Sequence, residues 1–248
     1  MIKYAINPKY EKDLKEFLLD IKEHFDQSDQ TIHKARNELK IIPCKREQFV
    51  VKSFKIPNLV RRIIYTYFRD SKAKKSYENS IKIGDLSPEP IGYIEFYTNN
   101  LLAESYFIAK KFEFDFTIKE PIVNKTFPDR ENIFQEFAKF TYTLHEKNIL
   151  HNDYSPGNIL IKKDGGKYTF KIVDINRMKF KKLLLKERLK NFAKLWLPDE
   201  DMKIIAASYA KLMDANEEEC INIAKEYSHR LKSRVNMKKR LKGIPVVD

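Results

Sequence analysis

The sequence predicts an α+β protein of two lobes, a strand-rich first lobe with one key helix and a compact, mostly helical second lobe. Three observations lead to this class. Short apolar segments with the texture of strands occupy residues 31–55 and return at 90–114. A long apolar helical face opens the second part at 129–147, and helical periodicity dominates from residue 183 onward.

The first elements of the chain are a helix and three short strands. Residues 8–25 predict an extra N-terminal helix, because six apolar side chains fall on one helical face. These are Tyr10, Leu14, Phe17, Leu18, Ile21 and Phe25. The stretches "TIHKAR", "NELKIIPC" and "QFVVKSFK" then read as strands joined by polar turns.

Helical character returns over residues 59–83 and divides into two helices at Asp70–Ser71, where Ser71 is a natural N-cap. Gly84 ends the second helix, and the prolines that follow prevent its continuation. Two strands, "IGYIEFYT" and "ESYFIAKKFEF", complete the first lobe.

The predicted lobes meet near residues 113–120, so we assign 1–115 to an N-terminal lobe and 116–248 to a C-terminal lobe with a basic helical tail. After the long helix, the segment "ILHNDYSPGNILI" at 149–161 reads as a hairpin of two core strands folded back at Pro156–Gly157. A further strand, "YTFKIVDI", follows a Gly-Gly turn.

The chain is strongly basic, with 48 Lys and Arg against 35 Asp and Glu, a net charge of +13. The excess is concentrated at 31–77, with thirteen basic and three acidic residues, and at 230–242, with seven basic residues and no acid. Such a balance favours polyanionic partners: nucleotides, anionic membrane surfaces or phosphorylated substrates. The alternative for any single lysine is an ordinary solvated helix face.

The sequence has two cysteines, Cys44 and Cys220, and neither lies in a motif with the spacing of metal ligands. This pattern argues against a disulfide scaffold. The first residues are rich in charge and lack the apolar core of a signal peptide. We therefore expect a cytoplasmic protein, with peripheral contact at a membrane surface, for which the basic tail "RLKSRVNMKKRLKG" is a candidate.

The strongest chemical signal is the pair Asp153 and Asn158 in "HNDYSPGNILI". Enzymes that transfer phosphoryl groups use an Asp to take the proton of the acceptor hydroxyl and an Asn five positions later to bind magnesium. The alternative is plain turn chemistry, since Pro-Gly-Asn is a common turn sequence. Asp174, at the end of the apolar strand "KIVD", would be a second oxygen ligand of Mg²⁺.

A strand lysine and a helix glutamate complete the pattern. Lys52 follows the apolar run "FVV" and would bind the phosphates of ATP, as the lysine of V-A-I-K does. Glu78 is the one acid between Ser71 and Lys82, and we expect it to pair with Lys52. The alternatives are a solvent-facing lysine and a surface glutamate that pairs with lysines of its own helix.

These motifs, in this order, resemble the protein-kinase-like superfamily. Within it, "HNDYSPGNILI", "VDINRMKF" and "KERLKNFAKLW" resemble the bacterial lipopolysaccharide kinases of the Kdo kinase and heptose kinase type. The resemblance covers about residues 31–200 and implies a bilobal protein-kinase-like fold. It also implies ATP- and Mg²⁺-dependent phosphorylation of an inner-core sugar on a lipid A-linked, anionic glycolipid at the inner membrane.

The departures from the family pattern concern the nucleotide. Asn152 replaces the Arg of H-R-D, and the D-F-G triplet becomes Asp174-Ile175-Asn176. The chain has no glycine before residue 84, so the glycine-rich loop is missing. We expect Lys34 and Arg36, at the tip of the first hairpin, to hold the phosphates by charge instead.

Adenine should meet the backbone that connects the lobes, at Glu113 and its neighbours. Three other classes compete with a lipopolysaccharide kinase. Another small-molecule or protein kinase of the same fold is the nearest, although kinases of cationic substrates usually have acidic clefts. A membrane-binding pseudokinase would explain the charge and the missing glycines. An RNA-binding pseudokinase should show aromatic residues interleaved with its basic patch. Tyr65, Tyr67 and Phe68 beside Arg61 and Arg62 are only a weak version of that pattern, and nucleic acid is therefore not the expected partner.

Overall fold

The computed structural model describes residues 1–246, which form two compact units. The first unit contains Met1–Glu113 together with the short segment Asp174–Asn176. The second contains Phe114–Val173 and the residues from Arg177 onward. The sequence did not indicate that Asp174–Asn176 packs with the first unit, and this placement decides which residues it contacts.

The first unit is built on one antiparallel sheet of six strands. Its strands are β1 (Ile2–Ile6), β2 (Thr31–Lys34), β3 (Glu38–Cys44), β4 (Glu47–Phe54), β5 (Pro90–Thr98) and β6 (Leu101–Lys110). Its helices are α1 (Glu11–Leu19), α2 (Ile21–Gln27), α3 (Leu59–Tyr67) and α4 (Lys72–Ile83). The strand order in the sheet is β1-β5-β6-β4-β3-β2.

The two faces of this sheet carry different helices. Helices α1 and α2 cover one face, where Leu18 and Ile21 pack with Phe49 and Val51 of β4 in a fully buried core. Helix α4 packs against the other face with Tyr77. The single helix expected at 8–25 is thus two helices after a 3₁₀ turn.

Strand β1 was not predicted and pairs antiparallel with β5, from Ile2 opposite Phe96 to Ile6 opposite Gly92. This pairing requires glycine at position 92. A Cβ atom there would lie 2.6 Å from the backbone oxygen of Ala5, closer than carbon and oxygen can approach. The glycine therefore allows β1 to join the sheet.

The division of residues 59–83 into two helices is confirmed. The side chain of Asn58 caps α3 by accepting from the backbone N–H of Arg61, and Ser71 caps α4 by accepting from Lys74. Gly84 ends α4 with φ of 60°, the left-handed conformation in which glycine is favoured.

The second unit is mainly helical and contains two small sheets. Its strands are β7 (Phe116–Thr117), β8 (Ile149–His151), β9 (Ile159–Asp164), β10 (Lys167–Ile172) and β11 (Met178–Phe180). Its helices are α5 (Lys119–Val123), α6 (Arg130–Glu146), α7 (Leu185–Asn191), α8 (Asp199–Leu212) and α9 (Glu217–Arg240). Helix α6 buries Ile133, Phe134 and Phe137 completely, as its periodicity predicts.

The expected hairpin at 149–161 is wrong. Strand β8 pairs with β11, with His151 opposite Met178, whereas β9 pairs with β10 and β7. The two strands therefore belong to different sheets. The loop between them includes a 3₁₀ turn at Pro156–Asn158 and closes on itself through its own hydrogen bonds, so it does not need paired flanking strands.

Candidate active site

Lys52 lies on β4, on the face of the sheet opposite the α1–α2 core. Side chains alternate along a strand, so Val51 enters the core while Lys52 and Phe54 point the other way. The ammonium of Lys52 lies 5.4 Å from the centroid of the Phe54 ring, and 13% of its side chain is exposed. A lysine this buried needs a partner of opposite charge.

That partner is Asp174. Lys52 Nζ lies 2.6 Å from Asp174 Oδ1, and the same oxygen accepts a hydrogen bond from Asn176 Nδ2 at 2.8 Å. Asp174 has a φ of 56°, a left-handed conformation that Asp tolerates better than most residues with a side chain. The lysine predicted to bind phosphate and the acid predicted to bind metal are therefore in contact within the first unit.

Among residues 1–246, the expected ion pair between Lys52 and Glu78 does not form. Glu78 Oε1 lies 3.7 Å from Lys74 Nζ, one turn earlier in α4, and 51% of its side chain is exposed. Its neighbour Asn79 donates from Nδ2 to the backbone oxygen of Ile175 at 2.7 Å. Successive helical residues differ by about 100° in direction, so the face of α4 that meets Ile175 presents Asn79 and turns Glu78 away.

The other residues predicted to contact ATP lie at exposed positions of the first unit. Lys34 is 74% exposed and lies 3.4 Å from Glu38. Arg36, in the turn after β2, lines a cavity of about 370 Å³. Glu113 is 70% exposed and pairs with Lys111 at 2.8 Å. The roles of Lys34, Arg36 and Glu113 as ATP contacts stay predictions.

In the second unit, the loop after β8 holds the backbone of Asp153 in place. Its N–H donates to Nδ1 of His151 at 3.1 Å, and its carbonyl accepts from Nδ2 of Asn158 at 2.8 Å and from the N–H of Ser155 at 2.8 Å. The hydrogen bond from the Asn158 side chain to the Asp153 carbonyl therefore closes the loop between these two residues. The Asp153 carboxylate is 37% exposed and lies 3.8 Å from Nη1 of Arg177.

His151 has a tautomer that follows from its partners. Nδ1 accepts the Asp153 N–H, so it carries no proton, and Nε2 lies 2.9 Å from the backbone oxygen of Val173. Nε2 is therefore assigned the proton that it donates to this carbonyl. The buried imidazole links the start of the loop to the residue that precedes Asp174 in the chain.

A buried chain of hydrogen bonds supports His151 from behind. Asn191 Nδ2 donates to the backbone oxygen of His151 at 3.0 Å, and Asn191 Oδ1 lies 3.2 Å from Nε2 of His145. The hydroxyl of Tyr209 lies 2.7 Å from Nδ1 of the same histidine. Burial lowers the pKa of His145 to about 4, so the ring is neutral near pH 7, donating from Nε2 and accepting at Nδ1.

Tyr154 fixes the loop to α6. Its ring is fully buried and stacked on Phe137, with the ring centroids 5.7 Å apart. Thr141 Oγ1 donates to the backbone oxygen of Phe137, so the Tyr154 hydroxyl, 2.8 Å away, donates to Thr141. Burial raises the pKa of Tyr154 and keeps this hydroxyl protonated.

Sequence reasoning missed the four residues that position this machinery: Asn79, Arg177, Asn191 and Tyr209. Arg177 and Asn191 lie inside the quoted segments "VDINRMKF" and "KERLKNFAKLW" but were given no role, and Asn79 and Tyr209 lie outside every quoted motif. Asn152, which replaces the Arg of H-R-D, donates from Nδ2 to the backbone oxygen of Arg177 at 2.8 Å. The sequence signalled this position only as a departure from the family pattern.

Comparisons with known proteins concern the fold. No protein-family model and no curated protein sequence matches the chain. A solved structure of WaaP in complex with acyl carrier protein matches with a TM-score of 0.61 and 10% sequence identity. The match covers 95% of this chain and 98% of that chain. The fold is protein-kinase-like. The fold class expected from the sequence is thereby confirmed.

In this kinase-like fold, the residues predicted to bind magnesium have donors that suit it. Asp174 offers carboxylate oxygens. The amide nitrogen of Asn158 donates to Asp153, which leaves its oxygen as the ligand end. Within residues 1–246 no three His, Cys, Asp or Glu side chains cluster in a way that could hold a metal.

Proposed function

We propose that the protein is a kinase that transfers the γ-phosphate of ATP to a hydroxyl of an inner-core sugar of lipopolysaccharide, Kdo or heptose. The contact between Lys52 and Asp174 carries this proposal. In a kinase-like fold, a strand lysine binds the phosphates and the acid after the catalytic loop binds the metal. Finding these two groups together supports a retained site for a metal-bound polyphosphate.

Asp153 is the proposed base. The acceptor hydroxyl oxygen attacks the γ-phosphorus while its proton passes to the Asp153 carboxylate. The bond from the γ-phosphorus to the oxygen bridging to the β-phosphate breaks, and ADP leaves with that oxygen. His151 and Asn158 hold the Asp153 backbone, so the carboxylate meets the hydroxyl in a set orientation.

The remaining roles concern charge. Lys52 would neutralise the phosphates, with Lys34 and Arg36 as further cations and Glu113 beside the adenine. Asn158 and Asp174 would hold Mg²⁺, which when bound neutralises the charge that develops on the phosphate oxygens. Arg177, with Nη1 3.8 Å from Asp153 Oδ2, would add positive charge beside the proposed base.

The acceptor class rests on two arguments. The motifs quoted above resemble the Kdo and heptose kinases, and the chain shares its protein-kinase-like fold with WaaP. The net charge of +13 suits an acceptor that carries phosphates and carboxylates. Such an acceptor lies in the inner membrane, so the protein would work at its cytosolic surface. No helix within residues 1–246 is long and apolar enough to cross a bilayer.

One observation favours a second candidate, a nucleotide-binding pseudokinase of the same fold. Glu78 pairs with Lys74, so the lysine–glutamate pair typical of active kinases is not formed. The hairpin that should cover the phosphates also lacks glycine. A pseudokinase would bind ATP without transferring phosphate.

A transfer assay with ATP labelled in the γ-phosphate decides between these functions. Kdo-lipid A and heptosylated Kdo-lipid A are offered as acceptors, and the label on the glycolipid is measured. Transfer by the wild type that disappears in Asp153→Asn supports the kinase. ATP binding without transfer to any saccharide supports the pseudokinase, and transfer undiminished in Asp153→Asn rejects the assigned base.

A further inference from the structure

Helix α3 presents an apolar stripe to solvent. Leu59, Ile63 and Tyr67 recur at four-residue spacing, so they share one face of the helix. Their exposed fractions are 61%, 40% and 64%, and Val60 beside them is 65% exposed. No residue of α3 is buried.

The polar side of α3 faces the protein instead. Arg62 donates from Nε to the backbone oxygen of Leu102 at 2.7 Å and from Nη2 to that of Thr98 at 3.3 Å. Thr66 accepts from the N–H of Leu102 at 2.9 Å. An amphipathic helix normally buries its apolar stripe and exposes its polar face. Helix α3 instead exposes its apolar stripe and turns Arg62 and Thr66 toward the protein.

The apolar surface continues beyond both ends of the helix. Ile56, before α3, is 49% exposed, and Phe68, after it, is 78% exposed. Single exposed apolar residues are common on soluble proteins, but six of them between positions 56 and 68, on and beside one helix, indicate a surface that is covered in use. We call this set the α3 stripe: Ile56, Leu59, Val60, Ile63, Tyr67 and Phe68.

Basic side chains flank the α3 stripe. Lys55, Arg61 and Arg69 are exposed, and within residues 1–246 their side chains make no ion pair or hydrogen bond. Lys55, Arg61 and Arg36 also line the cavity of about 370 Å³, to which Lys72 contributes and which has no acidic residue in its lining. The cavity therefore suits an anion.

We propose that α3 is the membrane-docking element of this protein. Its apolar stripe enters the boundary between head groups and acyl chains of an anionic bilayer, while Lys55 and Arg61 bind a lipid phosphate at the cavity. This is the pattern of interfacial helices, an apolar face bordered by basic residues. The inference deepens the proposed function and rests on it, because a glycolipid acceptor has to be met at a bilayer surface.

Charge argues against a second copy of the chain as the occupant. Two copies joined through the α3 stripe would bring together two sets of unpaired cations on molecules with a net charge of +13 each. The rival membrane site is the basic end of α9, where Lys238, Lys239 and Arg240 stand beside exposed Met237 and Leu241. The test below distinguishes docking through α3 from both alternatives, a dimer of the chain and docking through the end of α9.

The test is sedimentation of the full chain with vesicles of phosphatidylcholine, with and without phosphatidylglycerol, in the absence of ATP and acceptor. We expect binding only to the anionic vesicles. Leu59→Gln with Ile63→Gln should weaken it at least about tenfold, because two buried aliphatic side chains are lost. Lys55→Gln with Arg61→Gln should weaken it about 30-fold, since each basic residue near an anionic surface contributes about a factor of five.

Matched control variants lie in the second unit. Val123→Gln with Leu184→Gln removes two aliphatic side chains that are 71% and 69% exposed, and Lys162→Gln with Lys167→Gln removes two exposed cations. Both pairs should bind within twofold of the wild type. Tryptophan fluorescence gives a second measurement that does not require a variant to lose binding. The emission of the tryptophan in Leu59→Trp should shift to the blue on anionic vesicles, and that in Val123→Trp should not.

Three results would overturn the proposal: no binding of the wild type to anionic vesicles, binding lost only in Lys238→Gln with Lys239→Gln, or loss of a solution dimer in the α3 variants. The proposed kinase function is tested separately from membrane docking. Vesicle binding without phosphate transfer supports docking and rejects the kinase, whereas transfer by a wild type that does not bind vesicles supports the kinase and rejects docking.

Discussion

The ammonium of Lys52 lies 2.6 Å from the carboxylate of Asp174, although 122 positions separate them in the chain. The exposed fractions of the two side chains are 13% and 32%. Each charge therefore serves as the other's partner. In the proposed function, a polyphosphate with its metal ion would bring a negative group for Lys52 and a positive one for Asp174, so both residues could exchange partners without leaving a buried charge alone.

Replacing Lys52 by Met should weaken ATP binding by about 10- to 100-fold, because a charge-assisted hydrogen bond contributes about 1.5–3 kcal/mol. Isothermal titration calorimetry with ATP and magnesium measures this loss. Lys162→Met, at an exposed position of β9, is the control and should bind ATP as the wild type does. Equal affinity in Lys52→Met and the wild type would remove Lys52 from the phosphate site.

Asp174→Asn should uncouple ATP affinity from magnesium. In the wild type, chelation of magnesium by EDTA should lower ATP affinity at least about tenfold, since a metal-bridged phosphate loses its ligand. The amide of the variant is a weaker metal ligand, so EDTA should have little effect there. Asn also tolerates the left-handed backbone of Asp174, so the substitution adds no backbone strain, and denaturant unfolding measures what loss of the Lys52 partner costs. An EDTA response as large as that of the wild type would contradict the metal assignment.

Helix α4 should act through Asn79 and not through Glu78. Asn79→Ala removes a hydrogen bond of 2.7 Å to the carbonyl of Ile175 and should lower the free energy of unfolding by about 1 kcal/mol. It should also reduce phosphate transfer, because Ile175 follows Asp174 directly. Glu78→Gln removes one exposed ion pair and should change stability by less than about 0.5 kcal/mol. Denaturant unfolding and the transfer assay compare the two, and a larger activity loss in Glu78→Gln would reverse the assignment.

This helix also shows how far the sequence could predict the site. Composition singled out Glu78 as the one acid among lysines. The strands that carry Lys52, flank Asp153 and precede Asp174 were predicted, but the pairing of the strands around Asp153 was not. The rotation of α4 about its axis depends on how Tyr77 packs against the sheet. Periodicity predicts that a residue lies on a helix. It does not predict which part of the protein a helix face contacts when the residues of that face are mostly polar.

The errors in the fold have the same origin in non-local contacts. Strand β1 forms because β5 provides an edge with Gly92 at the point of close approach. The supposed hairpin at 149–161 fails because β8 finds its partner in β11 and β9 finds its own in β10. Local pattern predicts a strand, whereas its pairing depends on residues far away in sequence.

Asp153→Asn should abolish transfer while ATP still binds. A positioned base contributes about 10²- to 10⁴-fold to rate, and the amide cannot accept the proton of the acceptor. The hydrogen bonds that hold the loop use the backbone of Asp153, so the variant should keep its fold. Single-turnover transfer and ATP titration measure the two effects separately. Asp164→Asn, at an exposed end of β9, is the control for charge.

The buried His145 should make the second unit sensitive to acid. Its pKa is about 4 in the folded chain because burial disfavours the imidazolium, whereas an unfolded chain protonates near 6.5. The unfolded state therefore takes up a proton first, and stability, complete above pH 6.5, falls as the pH drops toward 4. This histidine alone should account for a loss of about 3 kcal/mol.

Denaturant unfolding at several pH values measures this loss. The free energy of unfolding should decline less steeply with falling pH in His145→Gln, whereas in His33→Gln, at an exposed site in β2, it should decline as steeply as in the wild type. Parallel declines in His145→Gln and the wild type would mean that His145 takes up its proton at the same pH in the folded and the unfolded chain, which its burial and its bonds to Tyr209 and Asn191 argue against.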